Sequence, residues 1–276
     1  MKELETSLVE FCREAADANI PLFLGGGYGL YIKQLHLLET RERTFLPASA
    51  WPSPRGTPDL DVFLPSEIVV DLKQFKALRG ILDRLGYKPV EGAEFMHFER
   101  DVEHGQVRIE LLTGPLEPDL AKQAKVKPPR VRPKGRVELH AYLTKEAIAL
   151  EVAPLSIHVQ GIAVRIPNPF SFLLMKLHAS NDRIDDDDKQ LGRHHALDVY
   201  RILAMLTEAE RTTVEELYKA HRDTTSVVSE AAQIAQTMFA DTTSRCVIRM
   251  QEHALAHDGL EIERALSLLH DLLGGA

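Results

Sequence analysis

The sequence predicts an α+β protein, with an N-terminal mixed sheet flanked by helices over residues 1–167 and a C-terminal helical bundle over residues 168–276. Three observations carry this expectation. Short apolar or alternating runs punctuated by Gly and Pro recur up to Ile166, as strands and turns require. From Pro169 onward the apolar residues repeat at helical spacing and no further proline interrupts them. The 276 residues are 44% hydrophobic, enough for a sizeable core.

Taken in order, residues 2–18 set Leu4, Leu8, Val9, Phe11, Cys12 and Ala15 at helical spacing ahead of Pro21, predicting a first helix. Residues 21–24 read as a buried strand entering Gly25-Gly26-Gly27, and residues 28–38 as a helix. Residues 39–56, with Arg41, Arg43, Arg55, Trp51 and three prolines but no periodicity, read as a mobile loop whose cations can meet phosphate. A strand over 59–64 and a helix over 69–85 stopped by Gly86 follow, then a hairpin from runs 95–100 and 106–112. Runs 148–152, 156–159 and 163–166 suggest a meander. Helices are expected over 170–179, 190–205, 214–220, 227–239, 245–257 and 262–273.

Between residues 120 and 137 the chain carries Lys122, Lys125, Lys127, Arg130, Arg132, Lys134 and Arg136 with no acid, interrupted by Pro128, Pro129 and Pro133. This is a basic, proline-stiffened loop: either a solvated connector or a clamp for phosphate or RNA. The net charge of −8 argues against binding nucleic acid with the whole surface. No apolar run reaches the roughly 18 residues of a membrane span, and an amino terminus with Glu3, Glu5 and Glu10 is too acidic for a signal or transit peptide, so a cytoplasmic address is expected. Cys12 and Cys246 match neither a disulfide framework nor a zinc spacing and read as buried helix residues.

The residues that carry chemistry are Leu24-Gly25-Gly26-Gly27-Tyr28-Gly29-Leu30 and Thr57-Pro58-Asp59-Leu60-Asp61-Val62-Phe63. Residues i and i+2 of a strand point the same way, which puts the Asp59 and Asp61 carboxylates on one face about 6.8 Å apart along the backbone. Aspartate is a poor strand former, so the pair is either a solvent-facing edge or a site for a hard divalent cation such as Mg²⁺ or Mn²⁺. A glycine turn opening a helix suits phosphate. Together they suggest a metal-bound nucleoside triphosphate. Glu110, on the run 106–112, is either solvent-facing or a third carboxylate if its strand lies beside that of Asp59 and Asp61. His194 and His195 cannot share a helix face and His178 is the nearby third, so zinc is not expected. Asp185 to Asp188 lacks the glycine and terminal glutamate of an EF-hand and reads as a solvated loop.

This order of motifs resembles the nucleotidyltransferase fold of the DNA polymerase β-like superfamily, and within it the AbiEii group of bacterial toxins, whose relatives include the MenT toxins. Gly26 and Gly27 match the paired glycines and Asp59-Leu60-Asp61 the metal-binding strand. Lys176-Leu177-His178-Ala179, then Arg183 and Asp198, match the helical Lys-Leu-x-Ala, Arg and Asp series. Two features depart from the pattern: residues 39–56 are inserted before the aspartates, and His194-His195 stand where relatives carry Lys-Asp, with Lys189 a candidate for the missing lysine.

The resemblance implies a Mg²⁺- or Mn²⁺-dependent nucleotidyltransferase that moves NMP from an NTP to a hydroxyl on tRNA, another RNA or a protein, under the control of an antitoxin protein. It implies Asp59, Asp61 and Glu110 at the metal, with Glu110 a ligand or base; Gly26, Gly27 and Tyr28 at the phosphates; Lys176 at the triphosphate, Arg183 at the nucleotide, and Asp198 orienting that lysine. An antibiotic-modifying nucleotidyltransferase and a non-catalytic nucleotide-binding module remain open, the former because an acidic protein suits a cationic acceptor.

Overall fold

The computed structural model describes residues 2–55, 57, 59–186 and 188–274. The chain divides into two compact units, Met1–Gly29 with Gly56–Pro167, and Leu30–Arg55 with Asn168–Ala276. It is α+β: a mixed sheet with helices, and a helical portion. Among the described residues no helix is long and apolar enough to cross a membrane.

In the first unit, helix α1 (Lys2–Asp17) buries Leu4, Leu8, Phe11 and Cys12 on one face. Strand β1 (Phe23–Leu24) leads into helix α2 (Gly26–Thr40), and β2 (Asp59–Leu64) pairs antiparallel with β1. Helices α3 (Ser66–Val70) and α4 (Leu72–Arg84) occupy the span expected to be one helix. The break is Asp71, which is extended (φ −82°, ψ 109°) and caps α4 by accepting from the Lys73 and Gln74 N–H groups at 2.7 and 3.0 Å. Gly86 ends that helix with φ +78°, as expected.

Strands β3 (Lys88–Pro89), β4 (His97–Val102) and β5 (Gly105–Thr113) follow, β4 and β5 forming the expected hairpin. β5 lies parallel to β2 with Asp59 opposite Arg108 and Asp61 opposite Glu110. The described residues form an eight-stranded sheet ordered β1-β2-β5-β8-β7-β6, with β4 also on β5 and β3 on β4.

The basic stretch expected as a loop is instead a short helix, α5 (Pro118–Ala121), and an antiparallel hairpin of β6 (Ala124–Lys127) and β7 (Arg130–Pro133), joined to β5 through β8 (Ala141–Leu143). The period-two signal was present in Lys125-Val126-Lys127 and Arg130-Val131-Arg132. Of the expected meander only β9 (Leu155–Val159) and β10 (Ile162–Ile166) exist. Residues 148–152 form turns, with Ala149 at φ +59°, a conformation no strand holds.

The second unit is built around helix α6 (Pro169–Asp182), whose Phe170, Phe172, Leu173, Leu174 and Leu177 are all buried. Asn168 caps it by accepting from Ser171 N–H at 3.0 Å, with Pro169 in the first turn, where its missing N–H costs nothing. Helices α7 (Lys189–Ala204), α8 (Glu208–His221), α9 (Ser226–Met238), α10 (Arg245–Gln251) and α11 (Ile262–Leu273) complete the helical portion. α10 ends before the expected residue 257, where His253 Nδ1 accepts from Leu255 N–H at 2.9 Å and turns the chain. Residues expected as a mobile loop before Asp59 are packed: Leu46, Ala50 and Trp51 are buried, and Trp51 Nε1–H donates to Leu46 O at 3.0 Å. Cys12 and Cys246 are buried in helices, and burial pushes both thiols up to about 12.

Replacing the α4 cap, Asp71→Ala, is expected to cost about 1 kcal/mol. The shift of the urea midpoint at unchanged slope measures it.

Candidate functional site

In the first unit the strand register assembles the candidate carboxylates. Partners in register share a sheet face, so Asp61, Glu110 and His97 form one row across β2, β5 and β4, and Asp59, Arg108 and Glu99 the next. Leu60, Val62, Ile109 and Leu111, on the opposite face, are buried and hold the rows in place. The strand of Glu110 therefore does lie beside that of Asp59 and Asp61. Glu110 Oε1 accepts from His97 Nε2 at 3.2 Å, and that hydrogen bond raises the His97 pKa above the ordinary value. Arg108 Nε meets Glu99 Oε2 at 3.4 Å.

The glycine turn comes down on this face. A β-carbon on Gly26, which has φ +60°, would lie 1.7 Å from Asp61 Oδ2, and one on Gly25 would lie 2.4 Å from the Phe63 ring. Gly25 N–H donates to Asp61 O at 2.8 Å. The N-terminal end of α2 therefore meets the Asp61 carboxylate, an arrangement that favours negative charge. Gly27 follows in the same helical turn. The Tyr28 ring is buried, so any role at phosphate falls to its backbone.

The donor set of two aspartates and a glutamate, all oxygen and half-buried on one sheet face, fits a hard divalent cation. Among the described residues the acid and histidine group whose ligand atoms all fall within 4.8 Å is Glu3, Glu103 and His104, mostly exposed, and not this row.

In the second unit α6 and α7 bring Lys176 and Asp198 together, with Nζ 2.8 Å from Oδ2. Asp198 is fully buried, and two further cations face it: Arg201 Nη1 at 3.0 Å from Oδ1 and Arg55 Nη2 at 3.6 Å from Oδ2. Burial alone would raise the Asp198 pKa; Lys176, Arg55 and Arg201 outweigh it and hold the carboxyl well below its ordinary range. Three cations around one carboxylate leave an excess positive charge, which suits an anionic ligand. Arg201 lies one helical turn beyond Asp198, and its pairing follows from the burial of Asp198, which spacing alone does not reveal.

Arg183 does not join this group through an ion pair: it ends α6 and pairs with Asp186 at 3.2 Å. Lys189 begins α7, and its side chain lies outside the described residues, as does Asp187 of the acidic loop. His178 Nε2 meets Val227 O at 2.9 Å, away from any shared ligand role with the other histidines. His194 pairs instead with His253, Nδ1 to Nε2 at 2.7 Å. His253 Nδ1 accepts from the Leu255 N–H, so its proton sits on Nε2 and is donated to His194. His195 is driven down to about 3, first by burial and then by the Lys176 charge.

No protein-family model matches the sequence, and no curated protein does. Solved structures do match. The solution structure of the antibiotic-resistance factor ANT(2'')-Ia is 14% identical, with 80% of this chain and 96% of that chain covered and a TM-score of 0.38. The same enzyme in complex with adenylyl-2''-tobramycin gives 14%, 77%, 99% and 0.39. An antigenic nucleotidyltransferase-like protein from Paracoccidioides brasiliensis gives 16%, 82%, 92% and 0.44. These neighbours are nucleotidyltransferases or like them, and the resemblance is too coarse to assign any residue a role.

Two outcomes check this geometry. Gly26→Ala forces a side chain into left-handed backbone and onto Asp61, and is expected to lose at least about 1–2 kcal/mol in chemical denaturation. His195 has a folded pKa of about 3 against an ordinary 6.5, so its contribution is complete above pH 6.5 and is lost as pH falls towards 3. His195→Asn is accordingly expected to flatten the decline in stability between pH 6.5 and 4, read from urea midpoints at each pH.

Proposed function

We propose that this protein is a divalent-metal-dependent nucleotidyltransferase that transfers NMP from an NTP to an acceptor hydroxyl. The observation that carries the reading is the row of Asp61 and Glu110 beside Asp59, with the backbone of Gly26 set against Asp61. Asp59 and Asp61, with Glu110, would hold Mg²⁺ or Mn²⁺. When bound, the metal would neutralise phosphate charge and acidify the attacking hydroxyl.

The chain's own groups then have distinct tasks. The acceptor oxygen attacks the α-phosphorus in line, the bond to the bridging oxygen breaks, and pyrophosphate leaves. Glu110, hydrogen-bonded to His97, would add a metal ligand or receive the hydroxyl proton. The Gly26-Gly27-Tyr28 backbone is assigned to the phosphates. On the resemblance alone, Lys176, oriented by Asp198, is assigned to the triphosphate. Arg183 is assigned to the nucleotide on the resemblance alone. No covalent enzyme intermediate is needed.

The resemblance to AbiEii toxins supports a finer reading, in which the acceptor is tRNA or another cytoplasmic molecule and an antitoxin protein controls the activity. The altered His194-His195 pair supports the alternative that the fold binds nucleotide without turnover.

The test is label transfer from each α-labelled NTP with Mg²⁺ or Mn²⁺, offering total RNA, protein alone or an aminoglycoside. Label is expected on an acceptor with wild type and to fall at least about a thousandfold in Asp59→Asn/Asp61→Asn, about 4 kcal/mol of barrier. Label that stays in free NTP with every acceptor contradicts the reading.

A further inference from the structure

We propose that the sheet face bearing the carboxylates continues across β8, β7 and β6 as a binding track for single-stranded nucleic acid. Beside the row of Glu110 runs a longer one: Phe63 opposite Leu112, Leu112 opposite Tyr142, Tyr142 opposite Arg130, and Arg130 opposite Lys127. Lys125 opposite Arg132 extends it on the same face. At about 4.8 Å per strand, some 14 Å separate the strand of Glu110 from that of Lys127.

The alternation along β7 and β8 fixes which face this is, while in β6 Val126, on the opposite face, is also exposed. Val131 and Ala141 point into the core and are fully buried, while Lys125, Lys127, Arg130 and Tyr142 are exposed. Like charges directly opposite one another destabilise a sheet, and here two such pairs stand side by side. Among the described residues no carboxylate forms an ion pair with Lys125, Lys127 or Arg130, although the Arg130 charge reaches Glu94, and Arg132 donates to the backbone oxygens of Pro133 and Gly135 in its own turn. β6 is the edge strand, where exposed lysines also deter pairing with another chain. A phosphate chain relieves the repulsion between the opposed pairs.

Tyr142 decides between polyanions. It is an exposed ring with Leu112 on one side and Arg130, then Lys127, on the other, and a ring beside cations matches a backbone whose bases are unpaired and free to stack. A duplex hides its base faces, and an acidic peptide has no planar base to offer. The inference deepens the proposed function by naming the acceptor class, and rests on that reading only for the strand's end reaching Glu110. Binding along the track does not depend on catalysis.

The test is fluorescence anisotropy with the full chain and labelled RNA and DNA single strands of about 12 nucleotides, over a range of salt. Lys125→Ala/Lys127→Ala/Arg130→Ala is expected to weaken binding at least tenfold. It should also reduce the magnitude of the log–log salt slope by about 2, at roughly 0.7 per phosphate contact. Because this variant removes opposed like charges, its unfolding midpoint should not fall. Tyr142→Ala is expected to weaken binding about tenfold by loss of stacking, and Tyr142→Phe to retain it.

Wild-type affinity in the triple variant, or no binding of either strand by wild type, overturns the track. Equal competition by polyglutamate overturns it in favour of an acidic protein partner. Binding that the hairpin variants lose, in a protein that transfers no label, sustains the track and removes the proposed function instead.

Discussion

A β-carbon at residue 26 would overlap the Asp61 carboxylate at 1.7 Å, and one at residue 25 would strike the Phe63 ring at 2.4 Å. Helix α2 can therefore begin where it does only because these positions carry no side chain, and Gly26 also supplies the left-handed φ of +60°. The Gly25 N–H bond to Asp61 O fixes the turn to β2. Every later assignment depends on that contact, because it sets the positive end of a helix against a carboxylate that has another carboxylate as its cross-strand neighbour.

The second unit answers a different electrostatic problem. Asp198 has no contact with solvent, and a buried carboxylate is tolerated only when its charge is compensated. Lys176, Arg201 and Arg55 do more than compensate it. One carboxylate fixes three long cationic side chains, each of which would otherwise lose rotamer freedom on meeting a ligand.

Much of the fold was legible because periodicity reports burial. The residue limits of β2 were read directly, Glu110 was recognised as a polar residue on a half-buried strand, and the helical second half followed from its repeat. What failed was local backbone chemistry competing with pattern. Asp71 satisfies two helix N–H groups and so splits an amphipathic run. The prolines beside Lys127 and Arg130 masked an alternation that becomes a strand pair once β8 supplies an edge. Neither the register that sets His97 against Glu110 nor the pairing of His194 with His253 is encoded locally, since each joins segments distant along the chain. Arg55 is a cation that sequence leaves free to meet phosphate, but its approach to Asp198 depends on packing that sequence spacing does not report.

Direct binding of Mn²⁺, followed by its electron paramagnetic resonance signal with and without a non-hydrolysable NTP, addresses the central claim before any acceptor is known. The account predicts that wild type removes Mn²⁺ from the free pool, more strongly with nucleotide present, and that Asp61→Asn abolishes this while remaining folded. Equal Mn²⁺ binding by wild type and Asp61→Asn would mean that the β2–β5 carboxylates do not form a metal site.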